Sequence, residues 1–352
     1  MRTRRFAPVA LALGLVAAGC GSPGSAGSEP VTLTLLSYDS FVISQATLDE
    51  FTAQTGIKVK TALGGDAGEL VNAAVLSKGK PQGDVLWGVD NTLLSRAVKE
   101  GVFSPYVSPE LGSVPDTYKS LVPGHEATPV DYGDVCINYD KKWFADKGLT
   151  PPSTLADLTK PEYKDQLVVE NPATASPGLA FLLATVARYG ADGWQGYWTD
   201  LRSNGVKVVS GWTEAYSTDF SGSSGKGPKP LVVSYASSPP AEIVYASDPK
   251  PTEPPTASFT DGCFRQVEFA GVLQGTKHEQ QARKLIDFML GNTWQADLPL
   301  NMFVFPVRQG VALPEVFTKW AAVPAQPLSL PPDVIDQNRQ EWIDEWTTTV
   351  LR

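Results

Sequence analysis

The residues of this 352-residue chain that could do chemistry by type and spacing are aromatic groups beside carboxylates and hydroxyls. Tyr38 and Asp39 close an alternating apolar stretch. Trp87 precedes Asp90 and Asn91. Trp212, Glu214 and Tyr216 follow Val208 and Val209, and Tyr235 stands before Ser237, Ser238 and Pro239. Ring faces attract organic cations by about 0.5–2 kcal/mol each and stack on flat heterocycles, while a nearby carboxylate neutralises the positive charge. The run Ser176-Pro177-Gly178 reads as a helix start whose free N–H groups and positive dipole suit a phosphate. For any single aromatic residue, core packing is the commoner role. Their repeated placement after strands makes them a candidate set.

Catalytic constellations do not emerge from the sequence. Its two histidines, His125 and His278, match no metal or general-base motif, and His125-Glu126 lacks the second histidine of a zincin. There is no Gly-x-Ser-x-Gly nucleophile elbow. The run Gly222 to Gly227 resembles a phosphate loop, but Lys226 is followed by Gly227 and Phe220 stands where the first glycine belongs. A solvated hairpin loop is the expected form. The chain is therefore read as a binding protein, not an enzyme, with no cofactor and no metal. A secreted hydrolase is the least favoured alternative.

Strands and helices alternate along the chain. Val31, Leu33 and Leu35 predict a strand, Ala46 to Thr55 a helix stopped by Gly56, and Ile57 to Val59 a second strand. A helix over Gly68 to Ser77, a buried strand over Asp84 to Val89 and a helix over Asn91 to Glu100 follow. That order is the grammar of an α/β sheet. An extended run from Pro129 to Asp140 reads as a crossing into a second lobe. There Leu167–Val169 and Leu231–Tyr235 are strands, and Ser176–Arg188 is a helix with Pro177 at its first turn. Trp194, Trp198 and Leu201 share a face of the next helix. Ser221–Pro230 and Asp248–Pro255 are loops, Arg265–Ala270 is a returning strand, and Gln280–Leu290 and Val334–Leu351 are helices.

The expected fold is therefore α/β with two lobes, each a mixed sheet flanked by helices, and a ligand cleft between them. Lobe 1 takes residues 30–130 plus 265–315, lobe 2 takes 131–264, and 316–352 form a helical region packed on the lobes.

Composition and the N-terminus indicate the compartment. Hydrophobic residues make up 42%, charged residues 19%, and the net charge is -9. Without a basic face, nucleic-acid binding is excluded. Arg2, Arg4 and Arg5 precede an apolar run from Phe6 to Val16 and the small residues Ala17, Ala18 and Gly19, the order of a signal peptide over 1–19. Cys20 then stands where a bacterial lipobox cysteine is acylated. Residues 20–29, rich in Gly and Ser, form a flexible tether. The protein is thus expected outside the cytoplasm, held to the membrane by lipidated Cys20. Cys136 and Cys263 remain, an even number in an oxidising space. They are expected to bond, two separate buried thiols being the alternative.

An ordered series of short segments resembles the periplasmic thiamine-binding proteins, receptors of bacterial ABC importers. The series runs through Ser37-Tyr38-Asp39-Ser40-Phe41, Val89–Leu94, Asp131-Tyr132-Gly133, Tyr139-Asp140-Lys141 and Ser176–Leu179. It continues through Gly211–Tyr216, Ser234-Tyr235 with Ser238-Pro239, and Gln337–Gln340 with Trp342, Glu345 and Trp346. The resemblance implies a type II periplasmic-binding-protein fold, a monomer that closes on thiamine or a thiamine phosphate and delivers it to permease and ATPase subunits. It implies a site of Tyr38, Asp39, Asp66, Asp90, Ser176, Trp212, Tyr216, Tyr235 and Phe303. Tyr38 and Tyr235 would hold the rings, Asp66 would address the aminopyrimidine or the cation, and the Ala175-Ser176 turn and Trp212 would serve the hydroxyethyl or phosphate end. Phe303 stands where the best-known members have Trp, Ala241 where they have Tyr, and Gln45 where they have an aromatic group. A less enclosed pocket follows. Receptors of the same fold for a polyamine or ferric iron are the alternatives, although no Tyr-Tyr pair of the ferric kind occurs.

Overall fold

The computed structural model describes residues 31–224 and 226–352. Residues 1–30, on which the expected signal peptide, lipidated Cys20 and tether fall, lie outside the described residues, as does Gly225 of the 222–227 loop. Alternating burial makes Thr32–Ser37 strand β1, with Leu33, Leu35 and Ser37 inward. The further strands are β2 (Lys58–Leu63), β3 (Val85–Asp90), β4 (Phe103–Ser104), β5 (Thr128–Asp140), β6 (Leu167–Glu170), β7 (Lys207–Val209), β8 (Leu231–Tyr235), β9 (Thr256–Leu273) and β10 (Phe305–Pro306).

All ten join one mixed sheet in the order β2-β1-β3-β9-β5-β8-β6-β7, with β10 on β5 and β4 on β9. Pairing is parallel on both flanks, β2-β1-β3 and β8-β6-β7, and antiparallel where β9 meets β3 and β5 and where β5 meets β8. The two sheets expected from the sequence are thus continuous. The reason is length: β5 has 13 residues and β9 has 18, enough to pair with both flanks.

Strand β9 begins nine residues before the Arg265 expected from the sequence. Asp261 and Gly262 look like a turn, but the sheet absorbs them: the register shifts between Val135, opposite Phe264, and Ile137, opposite Phe259. Gly262 takes φ 73° there, a backbone state open to glycine. At this irregularity Cys136 and Cys263, both buried, form a disulfide that joins β5 to β9.

Helices cover the sheet through apolar faces. Gln45–Thr55 is capped by Ser44 and ends on Gly56 at φ 72°, burying Leu48 and Phe51. Ser176–Tyr189 is buried continuously from Ser176 to Val186. Ser176 is its first residue and Ala175 its cap, so the Ser176 hydroxyl is free to bond elsewhere. The C-terminal helix Pro332–Leu351 lays Trp346 edge-on against Trp198 at 5.4 Å, and Arg339 donates to the carbonyl of Thr92. No helix among the described residues is long and apolar enough to cross a membrane.

Candidate ligand-binding site

A cavity of about 810 Å³ opens beside the C-terminal ends of β1 and β8 and is lined from both flanks of the sheet. Its walls carry Tyr38, Trp212, Tyr216, Tyr235, Tyr245 and Phe303, and its carboxylates are Asp66, Asp140, Glu242 and Glu268.

Two tyrosines are seated on glycines of the central strands. A β-carbon at Gly88 would come within 2.4 Å of the Tyr38 ring, and one at Gly133 within 2.9 Å of the Tyr235 ring. Their hydroxyls are fixed as well. Tyr38 donates to Glu268 Oε2 at 2.9 Å, and Tyr235 donates to Gln266 Oε1 at 2.6 Å. Gln266 Nε2 in turn donates to Ser176 Oγ at 3.0 Å and to Asp90. On the opposite wall Trp212 and Tyr216 stack at 4.8 Å, Trp212 Nε1 donates to Ser234 Oγ, and Tyr216 donates to Glu242 at 2.9 Å. Phe303, held at φ 54°, meets Tyr245 edge-on.

Asp66 caps the helix Ala67–Leu76 and accepts three backbone N–H groups, from Ala67 at 2.6 Å, Ser176 at 3.2 Å and Trp212 at 3.0 Å. The N–H of Ser176, expected from the sequence to face a phosphate, therefore points at Asp66. Burial raises the Asp66 carboxyl to about 6 in spite of these bonds. Glu268 is raised to about 7, first by burial and then by the charge of Asp90, against the lowering bond from the Tyr38 hydroxyl. Among the described residues, no lysine, arginine or histidine pairs with Asp66, Asp90, Asp131 or Glu268.

Seven of the nine residues expected at the site line the cavity: Tyr38, Asp66, Ser176, Trp212, Tyr216, Tyr235 and Phe303. Two do not. Asp39 is exposed and off the cavity, because it follows Tyr38 into the turn where the chain reverses. Asp90 is fully buried behind the cavity, taking the N–H and hydroxyl of Thr92 at 2.6 and 2.5 Å and holding Gln266. Trp87 belongs to the core, packed on Trp294 and Phe41. Sequence reasoning missed Glu268, Glu242 and Tyr245. For Glu268 a signal exists: one acid inside the apolar run Val267 to Leu273.

A cavity walled by rings, with two buried carboxyls that no basic group pairs and two exposed lysines, Lys142 and Lys226, among its lining residues, built on an α/β sheet, defines a binding protein for a small solute. Residues 81–327 match the family model described as bacterial extracellular solute-binding protein, and the chain belongs to that family. It is similar to the thiamine-binding periplasmic protein of Salmonella typhimurium, 32% identical over 95% of this chain and 97% of the relative. The thiamine-binding periplasmic protein of Escherichia coli is 32% identical over 92% and 95% of the two chains. The solved structure of a periplasmic thiamin binding protein superimposes with a TM-score of 0.79 at 29% identity, covering 93% of this chain and 98% of that one.

Proposed function

We propose that this protein is the extracytoplasmic receptor of an ABC importer and that its solute is thiamine or a thiamine phosphate. The observation that carries this reading is a cavity with aromatic walls whose buried carboxyls, Asp66 and Glu268, pair with no basic side chain among the described residues, its two lysines, Lys142 and Lys226, being exposed. Thiamine joins two flat rings, one a permanent cation and the other bearing an amino group, which is the chemistry such walls select. The similarity to thiamine-binding periplasmic proteins supports the same solute.

In this reading Tyr38 and Tyr235 hold the rings, with Tyr216 and Phe303 beside them, Asp66 addresses the aminopyrimidine or the cation, and Trp212 and the Ala175-Ser176 turn serve the hydroxyethyl or phosphate end. The protein works as a monomer, anchored by lipidated Cys20. Its lobes, 30–130 plus 265–315 against 131–264, close about the two long central strands before docking on the permease. Binding and release are its whole task, and no covalent step is required.

Calorimetry of the purified protein with thiamine, its mono- and diphosphate, and spermidine tests the reading. Binding of at least one thiamine form, with spermidine silent, is expected. Preference for spermidine would replace the solute and leave the receptor class standing.

A further inference from the structure

Three carboxyl groups lie in a row across the middle of the sheet. Asp90 on β3, Glu268 on β9 and Asp131 on β5 are register partners, Asp90 opposite Glu268 and Asp131 opposite Glu268. Directly opposed residues project from the same face, with β-carbons about 4.5–5.5 Å apart. Asp90 is 0% exposed, Asp131 1% and Glu268 5%. A row of buried acids is ordinarily costly unless each is paired or protonated.

The three are not equivalent. Asp90 is satisfied by Thr92 and Gln266. Neither oxygen of Asp131 receives a bond from a donor of another residue. Glu268 takes one bond, from the Tyr38 hydroxyl, and lines the cavity. The titratable groups that face Glu268 are Tyr38 after β1, Asp90 on β3, Asp131 on β5 and Tyr235 on β8. None is basic. Asp66, the other buried acid of the cavity, already spreads its charge over three backbone N–H groups.

We propose that Glu268 selects the ligand's positive charge, and that the Asp131–Glu268 pair gives up one proton to solvent for each cation taken in. Two facing buried carboxyls cannot both ionise while the cavity is empty, so they retain a proton between them. Burial pushes both groups upward, Glu268 to about 7 with Asp90 adding to the rise, and Asp131 well above its ordinary value with Glu268 adding to it. A cation seated on the Tyr38–Glu268 edge reverses that balance: the carboxylate form becomes favoured and its proton leaves for bulk water. A neutral molecule of the same shape meets a neutral acid and gains nothing from it. The cavity thereby discriminates by charge without holding an uncompensated anion when empty.

This inference rests on the reading that the solute is a cation, and the experiment separates the two. Thiamine is titrated into the whole protein at about pH 6.5 in phosphate and in imidazole, buffers of low and high ionisation enthalpy. The expected difference in heat corresponds to release of about half a proton or more per thiamine, with affinity rising several-fold from about pH 5.5 to 8. Glu268→Gln is expected to abolish the buffer dependence and weaken thiamine at least about tenfold. In Asp131→Asn, which leaves a neutral group beside Glu268, proton release is expected to persist with its pH midpoint within about one unit of the native value.

Equal heats in both buffers across that range, or proton release that survives Glu268→Gln, overturn the proposal while leaving thiamine as solute. If spermidine binds in place of thiamine and proton release again depends on Glu268, the charge selector stands and the thiamine reading falls. Should Glu268→Gln fail to fold, carbon NMR of the ligand-free native protein decides the matter. A Glu268 carboxyl titrating near neutrality supports the proposal, and one titrating in the ordinary carboxylate range overturns it.

Discussion

The ring of Tyr235 lies over Gly133, so close that a β-carbon there would stand 2.9 Å from Tyr235 Cδ1. One strand thus supplies a gap where another supplies a ring, and the same device seats Tyr38 on Gly88. Both rings face the cavity, so the glycines set its width.

Substitution at this pair separates the ring from its hydroxyl. Tyr235→Ala is expected to weaken thiamine binding at least about tenfold, the scale of one lost ring–cation contact. Tyr235→Phe keeps the ring and loses only the bond to Gln266, and a smaller loss is expected. Gly133→Ala leaves charge untouched but displaces the ring, and is expected to fall between the two. Calorimetry on the three variants gives the order; full affinity in Tyr235→Ala would remove the ring from the site.

Asp66 links three pieces of chain through the N–H groups of Ala67, Ser176 and Trp212. Asp66→Ala removes a helix cap and strands two further donors, at about 1–3 kcal/mol in all. A lower melting temperature and weaker thiamine binding are expected together. Asp66→Asn, which keeps an acceptor oxygen, is expected to recover part of the stability. A variant that melts like the native protein would show that these bonds contribute nothing to the fold.

The Cys136–Cys263 bond spans 127 residues and is buried at both ends. Closing so long a loop stabilises the fold by about 2–5 kcal/mol, chiefly by restricting the unfolded chain. A lower denaturant midpoint is expected for the double variant Cys136→Ala, Cys263→Ala, with ligand affinity kept within about threefold because neither residue lines the cavity. Native protein treated with reductant is expected to keep the bond until it is unfolded. Rapid reduction in the native state would contradict the burial.

Glu170, at the end of β6, is 0% exposed, and neither carboxyl oxygen has a hydrogen-bond partner. Burial raises it well above its ordinary 4.5. Asp131 and Glu268 are raised likewise, and Asp66 to about 6. In each case the folded form holds a proton that the unfolded chain has already lost. The stability these groups contribute is therefore complete below about pH 4 and is lost as pH rises through their folded values. The ligand-free protein is expected to melt at a higher temperature near pH 5 than near pH 8. Glu170→Gln is expected to narrow the gap by on the order of 1 kcal/mol. A melting temperature that climbs steadily from pH 5 to pH 8 would sink this account.

Much of the molecule was legible in its residues because the signals are local. Period-two alternation in Leu33 and Leu35, the stop at Gly56 and the helical spacing of Trp194, Trp198 and Leu201 each act within a few positions. They predict the order of strands and helices, and with the aromatic groups after strands they point to Tyr38, Trp212, Tyr216 and Tyr235. What no stretch of chain contains is register. Asp90, Asp131 and Glu268 are neighbours only because β3, β5 and β9 pair as they do, and side-chain direction alternates with each residue of a strand. Whether an acid reaches the cavity, as Glu268 does, or lies behind it, as Asp90 does, depends on a pairing made between residues more than a hundred positions apart. The disulfide and the seat of Tyr235 on Gly133 belong to the same class of fact, settled when the long strands meet in the middle of the sheet.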